Sequence, residues 1–261
     1  MLDKSLNILK PYEVDDLIRL GRKEDGGYIL SEKVLKNTNI LISFGMANDW
    51  SFEQDFLNYN KDNKVYIYDH TVNLIYFVKR FYKSVKRLFY FKSSLSNINV
   101  KLKELINYLN IDKVKFIHIK KKVDLINSKT HVDIKEIFSQ VNKQKVILKI
   151  DIEGDEYKIL NVVNKNFKHI YLLIIEFHDI HKNMSKIKKF LNKSKLKLIH
   201  IHGNNYAGKN KNKDPNVLEF TMLNSKKFKI IKNRSSFKYP VYGLDYKNFT
   251  RQSDIDLKFN D

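Results

Sequence analysis

The sequence contains no cysteine among its 261 residues. The absence of cysteine excludes disulfides, thiolate metal sites and cysteine nucleophiles, and it is compatible with a reducing cytosol. Long hydrophobic runs are also missing: no apolar stretch reaches the length of a membrane span, and residues 1–17 lack the uninterrupted apolar core of a signal peptide. We therefore expect a cytoplasmic protein without a membrane span.

Arginine is scarce, although the chain is strongly basic, with a net charge of +20 at pH 7. Only six of the 49 basic residues are arginine. A large positive charge usually favours nucleic acid, anionic membranes or acidic substrates, but bidentate recognition of phosphates and bases favours arginine over lysine. Because the lysines are scattered along the chain, we expect no specific nucleic-acid partner.

Short apolar runs alternate with helical patterns, which predicts an α/β protein with a mostly parallel sheet. The predicted strands cover residues 39–44, 64–68, 114–119, 171–176, 197–201 and 217–223, and a run that begins at Val146. The predicted helices cover residues 51–59, 72–91, 102–109, 133–141 and 184–191, and a segment that begins at Glu156. The last strand is expected to return antiparallel, which gives a seven-stranded sheet with helices on both faces.

The chain length suits one large α/β domain that covers residues 1–261 and has its core in residues 17–223. More chain lies between Asp69 and Val114 than a crossover requires, so residues 70–113 are a candidate helical insertion. The pattern is faint towards the end of the chain, and residues 226–261 are interpreted as a tail packed on the domain. A homo-oligomer is compatible with the sequence.

A strand, a glycine turn and a helix open the sheet, an arrangement typical of nucleotide-binding folds. Gly45 follows the strand at residues 39–44, and Asp69 ends the next predicted strand. An acid about 20 residues after such a glycine turn is placed to accept hydrogen bonds from ribose hydroxyls. These two residues are therefore candidate cofactor contacts.

A second glycine turn lies earlier in the chain than Gly45 and Asp69. Asp25, Gly26 and Gly27 stand before Tyr28, between two short apolar runs. This pattern predicts a β-hairpin. Two adjacent glycines also let a backbone approach a ligand closely, so a loop that covers a cofactor is the alternative.

Four carboxylates follow the run that begins at Val146, within the segment VILKIDIEGDEYKIL. Ligands of open α/β sheets bind at the carboxyl ends of the strands, so Asp151 and Glu153 are candidate functional residues. Asp155 and Glu156 begin the next helix, where acids suit the helix dipole, and a purely local role stays open for them. Two further strand ends carry polar clusters, which are Glu176, His178 and Asp179 in one case and His202, Asn204 and Asn205 in the other.

The predicted helix at residues 72–91 combines aromatic side chains with lysine and arginine. An aromatic stripe beside a basic face can bind a membrane surface or RNA. A buried aromatic face with a solvated basic back is the commoner arrangement, and we favour it for this helix.

The succession of elements and several motifs resemble the FkbM family of S-adenosylmethionine-dependent methyltransferases. The most specific motif is KIDIEG, which begins at Lys149, together with Glu156; RLGRKEDGGYIL, FGMANDWSFEQDF and IHGNNYA support it. The resemblance covers residues 17–223. It implies a Rossmann-like class I methyltransferase fold and methyl transfer to oxygen, commonly a sugar hydroxyl in glycans or glycosylated metabolites. A sugar or nucleotide sugar is therefore the expected acceptor, and surface polysaccharide or glycan biosynthesis the expected context.

The expected cofactor is S-adenosylmethionine, bound across Gly45 and Asp69. The turn at Asp25, Gly26, Gly27 and Tyr28 is expected to close over it.

Methyl transfer to a hydroxyl needs a group that accepts its proton, or a divalent cation that acidifies it. Histidine suits the first role near neutral pH, and carboxylates suit the second. Because the strand ends converge at one edge of the sheet, we expect three catalytic residues: His178 as general base, His202 to orient the acceptor and Asp151 to hold the reacting groups. A cation such as Mg²⁺ held by Asp151 and Glu176 is the alternative, which leaves the metal ligands open.

Three other functions stay open at this point. An RNA methyltransferase would use the basic surface, although no Asn-Pro-Pro-Tyr or Asp-Pro-Pro-Tyr segment for amine methylation is present. A methyltransferase for a phosphate-bearing small acceptor would use the same charge. A non-enzymatic basic binding module on a degenerate nucleotide fold would bind no cofactor.

Overall fold

The computed structural model describes residues 8–141, 144–211, 214–229 and 233–259. Its strands are β1 (Leu17–Leu20), β2 (Tyr28–Ser31), β3 (Ile40–Phe44), β4 (Lys64–Tyr68), β5 (Phe116–Ile119), β6 (Lys122–Asp124), β7 (His131–Asp133), β8 (Val146–Ile150), β9 (Ile170–Phe177), β10 (Leu196–Gly203) and β11 (Leu218–Asn224). Its helices are α1 (Glu32–Lys36), α2 (Ser51–Tyr59), α3 (Leu74–Phe89), α4 (Leu95–Leu109), α5 (Ile134–Gln140), α6 (Glu156–Lys165) and α7 (Ile180–Lys193).

Within the described residues, the central sheet has seven strands in the order β10-β11-β9-β8-β3-β4-β5. Strands β3, β4, β5, β8 and β9 pair in parallel, whereas β11 is antiparallel to both β9 and β10. The strand order reverses between β3 and β8, and open α/β sheets bind ligands at the carboxyl ends of strands at such a point. The predicted mostly parallel, Rossmann-like sheet with an antiparallel last strand is confirmed.

The central strands are apolar because both faces of the sheet are covered. Every residue of β8 and β9 is buried. Leu148 and Ile150 belong to one apolar cluster and Ile147 to a second one, and successive side chains of a strand point to opposite faces. Lys149, on the same face as Ile147, is the charged exception and is also buried.

Strands β1 and β2 form an antiparallel hairpin, which confirms the hairpin interpretation of residues 25–27. A Cβ on Gly27 would lie 2.1 Å from the carbonyl oxygen of Arg22, so the turn requires glycine at this position. Strand β2 contacts β9 and β11. The hairpin therefore holds the buried Tyr28 against the central sheet.

Helices α3 and α4 lie between β4 and β5 and pack against each other. Helix α4 begins at Leu95, earlier than the predicted start at residue 102, because the Ser94 side chain caps its first turn. Phe77 is buried and packs edge to face against Trp50. The favoured interpretation of a buried aromatic face is wrong for the exposed Tyr82, Phe89 and Tyr90. The role of residues 70–113 as an inserted cap stays a prediction.

Short parallel strands β6 and β7, which the sequence did not predict, pair with each other beside the sheet. In the C-terminal segment, Tyr239, Ile255 and Leu257 are buried in the apolar cluster that contains Leu148. The division into a domain, an insertion and a tail stays a prediction, and residues 1–7, 142–143, 212–213, 230–232 and 260–261 lie outside the described part. Across the described ranges, no helix has the length and apolarity that crossing a bilayer requires.

Candidate active site

The loop after β3 packs directly against the end of β8. Gly45 has a left-handed φ of +87°, and a Cβ there would lie 1.8 Å from the carbonyl oxygen of Asp151. Only glycine permits this approach. The N–H of Gly45 donates to the carbonyl of Tyr68 at 3.1 Å, and the N–H of Asp151 donates to the carbonyl of Phe44 at 2.9 Å. The ends of β3, β4 and β8 are therefore joined at this loop.

The Asp69 carboxylate fixes the shape of the same loop. Its Oδ2 accepts hydrogen bonds from the N–H groups of Met46 at 2.8 Å and Ala47 at 3.0 Å. Its Oδ1 accepts from the N–H of Thr71 at 2.7 Å and from the Thr71 hydroxyl at 2.6 Å. Burial raises the pKa of Asp69, but these hydrogen bonds outweigh burial and lower it. A carboxylate has about four acceptor sites, so the predicted ribose contact requires the Thr71 hydroxyl to turn away.

A cavity of about 310 Å³ lies beside this loop. This volume is within the range of small-molecule sites. Its walls are residues 45–47, 68–71, 122–123, 151–153 and 155. Gly45, Asp69 and Asp151 thus line one cavity, whereas residues 25–28 do not line it. A groove of about 660 Å³ between α2 and α4 is larger, but no strand-end carboxylate of β8 or β9 lines it.

Tyr28 links the acids at the ends of β8 and β9. Its buried hydroxyl lies 3.0 Å from Glu176 Oε1 and 3.3 Å from Asp151 Oδ2. Burial and the charge of Asp151 raise the pKa of Glu176 well above its ordinary value. Burial also raises the pKa of Asp151 to about 6, against the opposing charge of Lys149. A carboxyl group with a pKa of about 6, as in Asp151, can exchange protons near neutral pH.

His178 stands among four acids. Its Nδ1 lies 3.3 Å from Glu156 Oε1, and its backbone N–H donates to the same oxygen at 2.8 Å. Its Nε2 lies 3.5 Å from Glu153 Oε2, 3.8 Å from Glu176 Oε2 and 3.9 Å from Asp151 Oδ1. Burial lowers the pKa of His178, but the hydrogen bond with Glu156 and the nearby charges outweigh burial and raise it. One acid therefore orients the ring, and the other three surround Nε2.

The two acids that begin α6 differ in their surroundings. Asp155 is partly exposed and forms ion pairs with two lysines, as a local helix-start role predicts. Glu156 is fully buried, and its Oε2 accepts a hydrogen bond from the Gly154 N–H at 2.8 Å. Since its other oxygen holds His178, Glu156 joins the turn after β8 to the end of β9. The sequence predicted only a local helix-start role for Glu156, and this connecting role was not predicted.

A buried ion pair supports the loop after β3 from behind. Lys149 Nζ lies 3.1 Å from Glu53 Oε1 and donates to the carbonyl of Gly45 at 3.0 Å. The Ser43 hydroxyl donates to the same Glu53 oxygen at 2.7 Å. The pair connects α2, β3 and β8. A lone lysine in an apolar strand was the available signal, but its partner could not be identified from the sequence.

His202 lies away from the cavity, and both of its ring nitrogens face acids. Nδ1 is 3.3 Å from Glu219 Oε2, and Nε2 is 3.1 Å from Asp254 Oδ1. Burial lowers the pKa of His202, but the hydrogen bonds with Asp254 and Glu219 outweigh burial and raise it to about 10. In this arrangement neither nitrogen is free to orient an acceptor. His202 instead connects β10, β11 and the C-terminal segment.

We expect His202 to stabilise the fold in a pH-dependent way. A histidine with a raised folded-state pKa stabilises the fold fully below its unfolded pKa of about 6.5. That contribution is lost as the pH rises through about 10. Urea unfolding should therefore show the largest difference in free energy of unfolding between the wild type and His202→Gln in mildly acidic buffer. This difference should shrink at alkaline pH. The exposed His181 provides the control His181→Gln, and a pH-independent difference for His202→Gln would contradict the expectation.

Two sets of ligand atoms could hold a cation among the described residues. Within each set the atoms lie within 4.8 Å of one another, and the sets are Asp151, Glu153 and His178, and Asp25, Glu176 and Glu219. Asp25 joins the second set from the hairpin turn, where its Oδ1 accepts from the amides of Asn204 and Asn248. Asp151 and Glu176, the predicted metal pair, belong to different sets. Metal binding stays a prediction.

Comparisons with known proteins add fold-level likenesses only. No family model matches the sequence, and no curated protein matches it. Among solved structures, a fibrillarin pre-rRNA processing protein of Methanococcus jannaschii matches with 9% identity, a TM-score of 0.37, and 72% of this chain and 67% of that chain covered. A precorrin-6y methyltransferase of Geobacter metallireducens matches with 8% identity, a TM-score of 0.37, and 74% and 84% covered. Likenesses this remote carry no argument about function, and the FkbM resemblance stays a prediction.

Proposed function

We propose that this protein is an S-adenosylmethionine-dependent methyltransferase of the FkbM type that methylates a hydroxyl of a sugar or nucleotide sugar. The observation that carries the proposal is the position of Asp151. This residue lines the cavity with Gly45 and Asp69, and it also contacts Tyr28 and approaches His178. A cofactor in the cavity would therefore lie beside groups that can handle a proton.

The volume of the cavity suits a small molecule, and its charge suits this cofactor. Gly45 lines the cavity without a side chain, and the place of its Cβ is taken by the carbonyl oxygen of Asp151 at the end of β8. Asp151 and Glu153 give the cavity a negative wall in a chain whose net charge is +20. Bound S-adenosylmethionine supplies an electrophilic methyl group on a positively charged sulfur, and acids stabilise such a charge. Residues 45–47 and Asp69 would hold it.

The KIDIEG motif supports the FkbM assignment because each of its polar residues has a role in the site. Lys149 supports the glycine loop, and Asp151 joins the cavity to the acids. Glu153 and Gly154 have φ values of +53° and +101°, which turn the chain sharply after β8. This turn brings Glu156 to its position beside His178.

In the proposed reaction, His178 takes the proton of the acceptor hydroxyl. Glu156 fixes Nδ1, which leaves Nε2 to face the acceptor. The acids around Nε2 stabilise the positive charge that the ring gains. The hydroxyl of Tyr28 and the carboxyl of Glu176 can bind further hydroxyls of the acceptor, and a sugar suits this polar wall because each hydroxyl both donates and accepts.

Mass spectrometry of the products tests the reaction. The wild type, incubated with S-adenosylmethionine and single nucleotide sugars, should release S-adenosylhomocysteine and an acceptor with one added methyl group on oxygen. Transfer to a base amine of RNA, with every sugar inactive, would contradict the proposal.

Replacing Asp69 by alanine is expected to weaken S-adenosylmethionine binding by about 1–3 kcal/mol, because the loop loses charge-assisted hydrogen bonds. Isothermal calorimetry of wild type and variant measures the change. Asp62→Ala is the control, since Asp62 is exposed and outside the cavity. Unchanged affinity in Asp69→Ala would remove Asp69 from the cofactor site.

A further inference from the structure

The segment from His70 to Lys103 is basic throughout. It contains eight lysines and arginines in 34 residues and no acid, because Asp69 precedes it and Glu104 follows it. It forms α3, the turn after α3 and most of α4. The complete helical hairpin, residues 70–109, adds one acid, Glu104, which pairs with Arg80 and Lys101, so basic residues outnumber acids by eight to one.

Helix α3 has a second apolar face that the protein does not cover. Ile75, Val78, Tyr82 and Phe89 are all exposed. Their spacing of i, i+3, i+7 and i+14 places them along one side of the helix. Phe77 is buried on another side. The helix thus packs on the protein through one face and displays a separate apolar stripe to solvent.

Helix α4 repeats this arrangement. Leu95, Leu102, Ile106 and Leu109 are exposed, and their spacing of i, i+7, i+11 and i+14 again places them along one side. Among its residues, all of which are described, α4 buries none. Most of the apolar side chains of α4 are therefore accessible to a binding partner.

The turn between the helices concentrates aromatic side chains. Phe89, Tyr90 and Phe91 are 78%, 63% and 98% exposed. The N–H of Phe91 donates to the carbonyl of Leu88 at 2.8 Å, and the N–H of Lys92 donates to the carbonyl of Arg87 at 2.8 Å. These are the hydrogen bonds of a Schellman motif, which usually places glycine in the left-handed position.

Phe91 occupies that left-handed position with a φ of +55°. A bulky residue is unfavourable in this conformation, and here its side chain gains no contact that would offset the cost, because it points almost wholly into solvent. Stability does not account for this choice of residue. A binding partner that contacts the ring of Phe91 would account for it.

We infer that the helical hairpin docks on the surface of an anionic lipid bilayer. Aromatic rings insert at the boundary between headgroups and acyl chains, aliphatic side chains follow them, and lysines and arginines contact anionic headgroups. A second copy of the chain would bring two strongly basic surfaces together, which their charge opposes. RNA would match the charge but not the exposed aliphatic stripes, because nucleic-acid surfaces are recognised mainly by charge and stacking.

Vesicle flotation with the 261-residue protein tests the inference. We expect the wild type to bind vesicles that contain phosphatidylglycerol at least tenfold more tightly than pure phosphatidylcholine vesicles, and to release them as salt rises. The key variant combines Phe89→Ala with Phe91→Gly. Glycine suits the left-handed position, so this variant should melt at the wild-type temperature or above it while its vesicle affinity falls at least tenfold.

A matched control replaces an aromatic residue outside the hairpin. Tyr242 is fully exposed, so Tyr242→Ala should bind vesicles as the wild type does. A second variant, Lys83→Glu with Lys86→Glu, should abolish the preference for phosphatidylglycerol. The inference is overturned if the wild type binds neither vesicle or both equally, or if the tip variant binds as the wild type. It is also overturned if the tip variant instead loses a wild-type dimer or loses RNA binding at physiological salt.

Discussion

Lys149→Ala is expected to lower the free energy of unfolding by about 3–5 kcal/mol, because it leaves Glu53 as an unpaired charge in the protein interior. The two side chains are 4% and 1% exposed, and Lys149 Nζ lies 3.1 Å from Glu53 Oε1. Burial lowers the pKa of Lys149, but the charge of Glu53 outweighs burial and raises it, so the lysine stays protonated. The same change removes the hydrogen bond to the Gly45 carbonyl, and we expect weaker cofactor binding as well.

Urea unfolding of Lys149→Ala measures this loss. The matched control is the double variant Lys149→Met with Glu53→Gln, which removes both charges and should recover most of the stability. Lys158→Ala removes a more exposed lysine of an ion pair on α6 and should cost no more than about 1 kcal/mol. If Lys149→Ala lowers the free energy of unfolding by no more than Lys158→Ala does, the buried pair does not have the expected structural role.

His178→Ala is expected to lower turnover by about 10²- to 10⁴-fold, the usual contribution of a general base. Cofactor affinity should be retained, because His178 does not line the cavity beside Gly45. Steady-state kinetics and calorimetry on the same preparation separate the two effects. His181→Ala is the control, since His181 is exposed on α7.

The pH profile gives this prediction a second readout. Nε2 accepts a proton only in the neutral ring, and the pKa of His178 is raised, so turnover of the wild type should increase with pH through a value above the ordinary histidine pKa. Glu156→Gln removes a charge that raises the pKa of His178, so the rise of turnover with pH should move to lower pH in this variant. If His178→Ala keeps turnover within about threefold, well below the general-base contribution, the assignment is wrong.

Chelation distinguishes the base from the metal alternative. Activity that is abolished by a chelator and restored by Mg²⁺, and that survives His178→Ala, would assign proton removal to a cation. The two acid sets that contain Asp151 and Glu176 would then be the candidate ligands.

Periodicity was sufficient to predict the sheet, because its strands are short apolar runs buried on both faces. The predicted strand at residues 64–68 coincides with β4, and the other predicted strands of the sheet differ from the observed ones by a few residues at their ends. The edge at which open α/β sheets usually bind ligands could also be predicted, since it follows from strand direction alone. Gly45, Asp69 and Asp151 consequently lie together as expected.

Contacts between distant segments could not be predicted from local patterns. Glu156 has the position of an ordinary helix-start acid, and only the fold brings His178 to it. His202 follows the same strand-end rule as His178, yet Glu219 and Asp254 enclose it. Strand ends therefore indicate where polar residues gather, but the side chains that face them decide which ones can act.

The most direct test of the central claim is calorimetric titration of S-adenosylmethionine into the wild-type protein, alone and with excess S-adenosylhomocysteine. The site beside Gly45 and Asp69 predicts saturable one-to-one binding that S-adenosylhomocysteine displaces. A protein that unfolds cooperatively but binds no S-adenosylmethionine at millimolar concentration would contradict the claim.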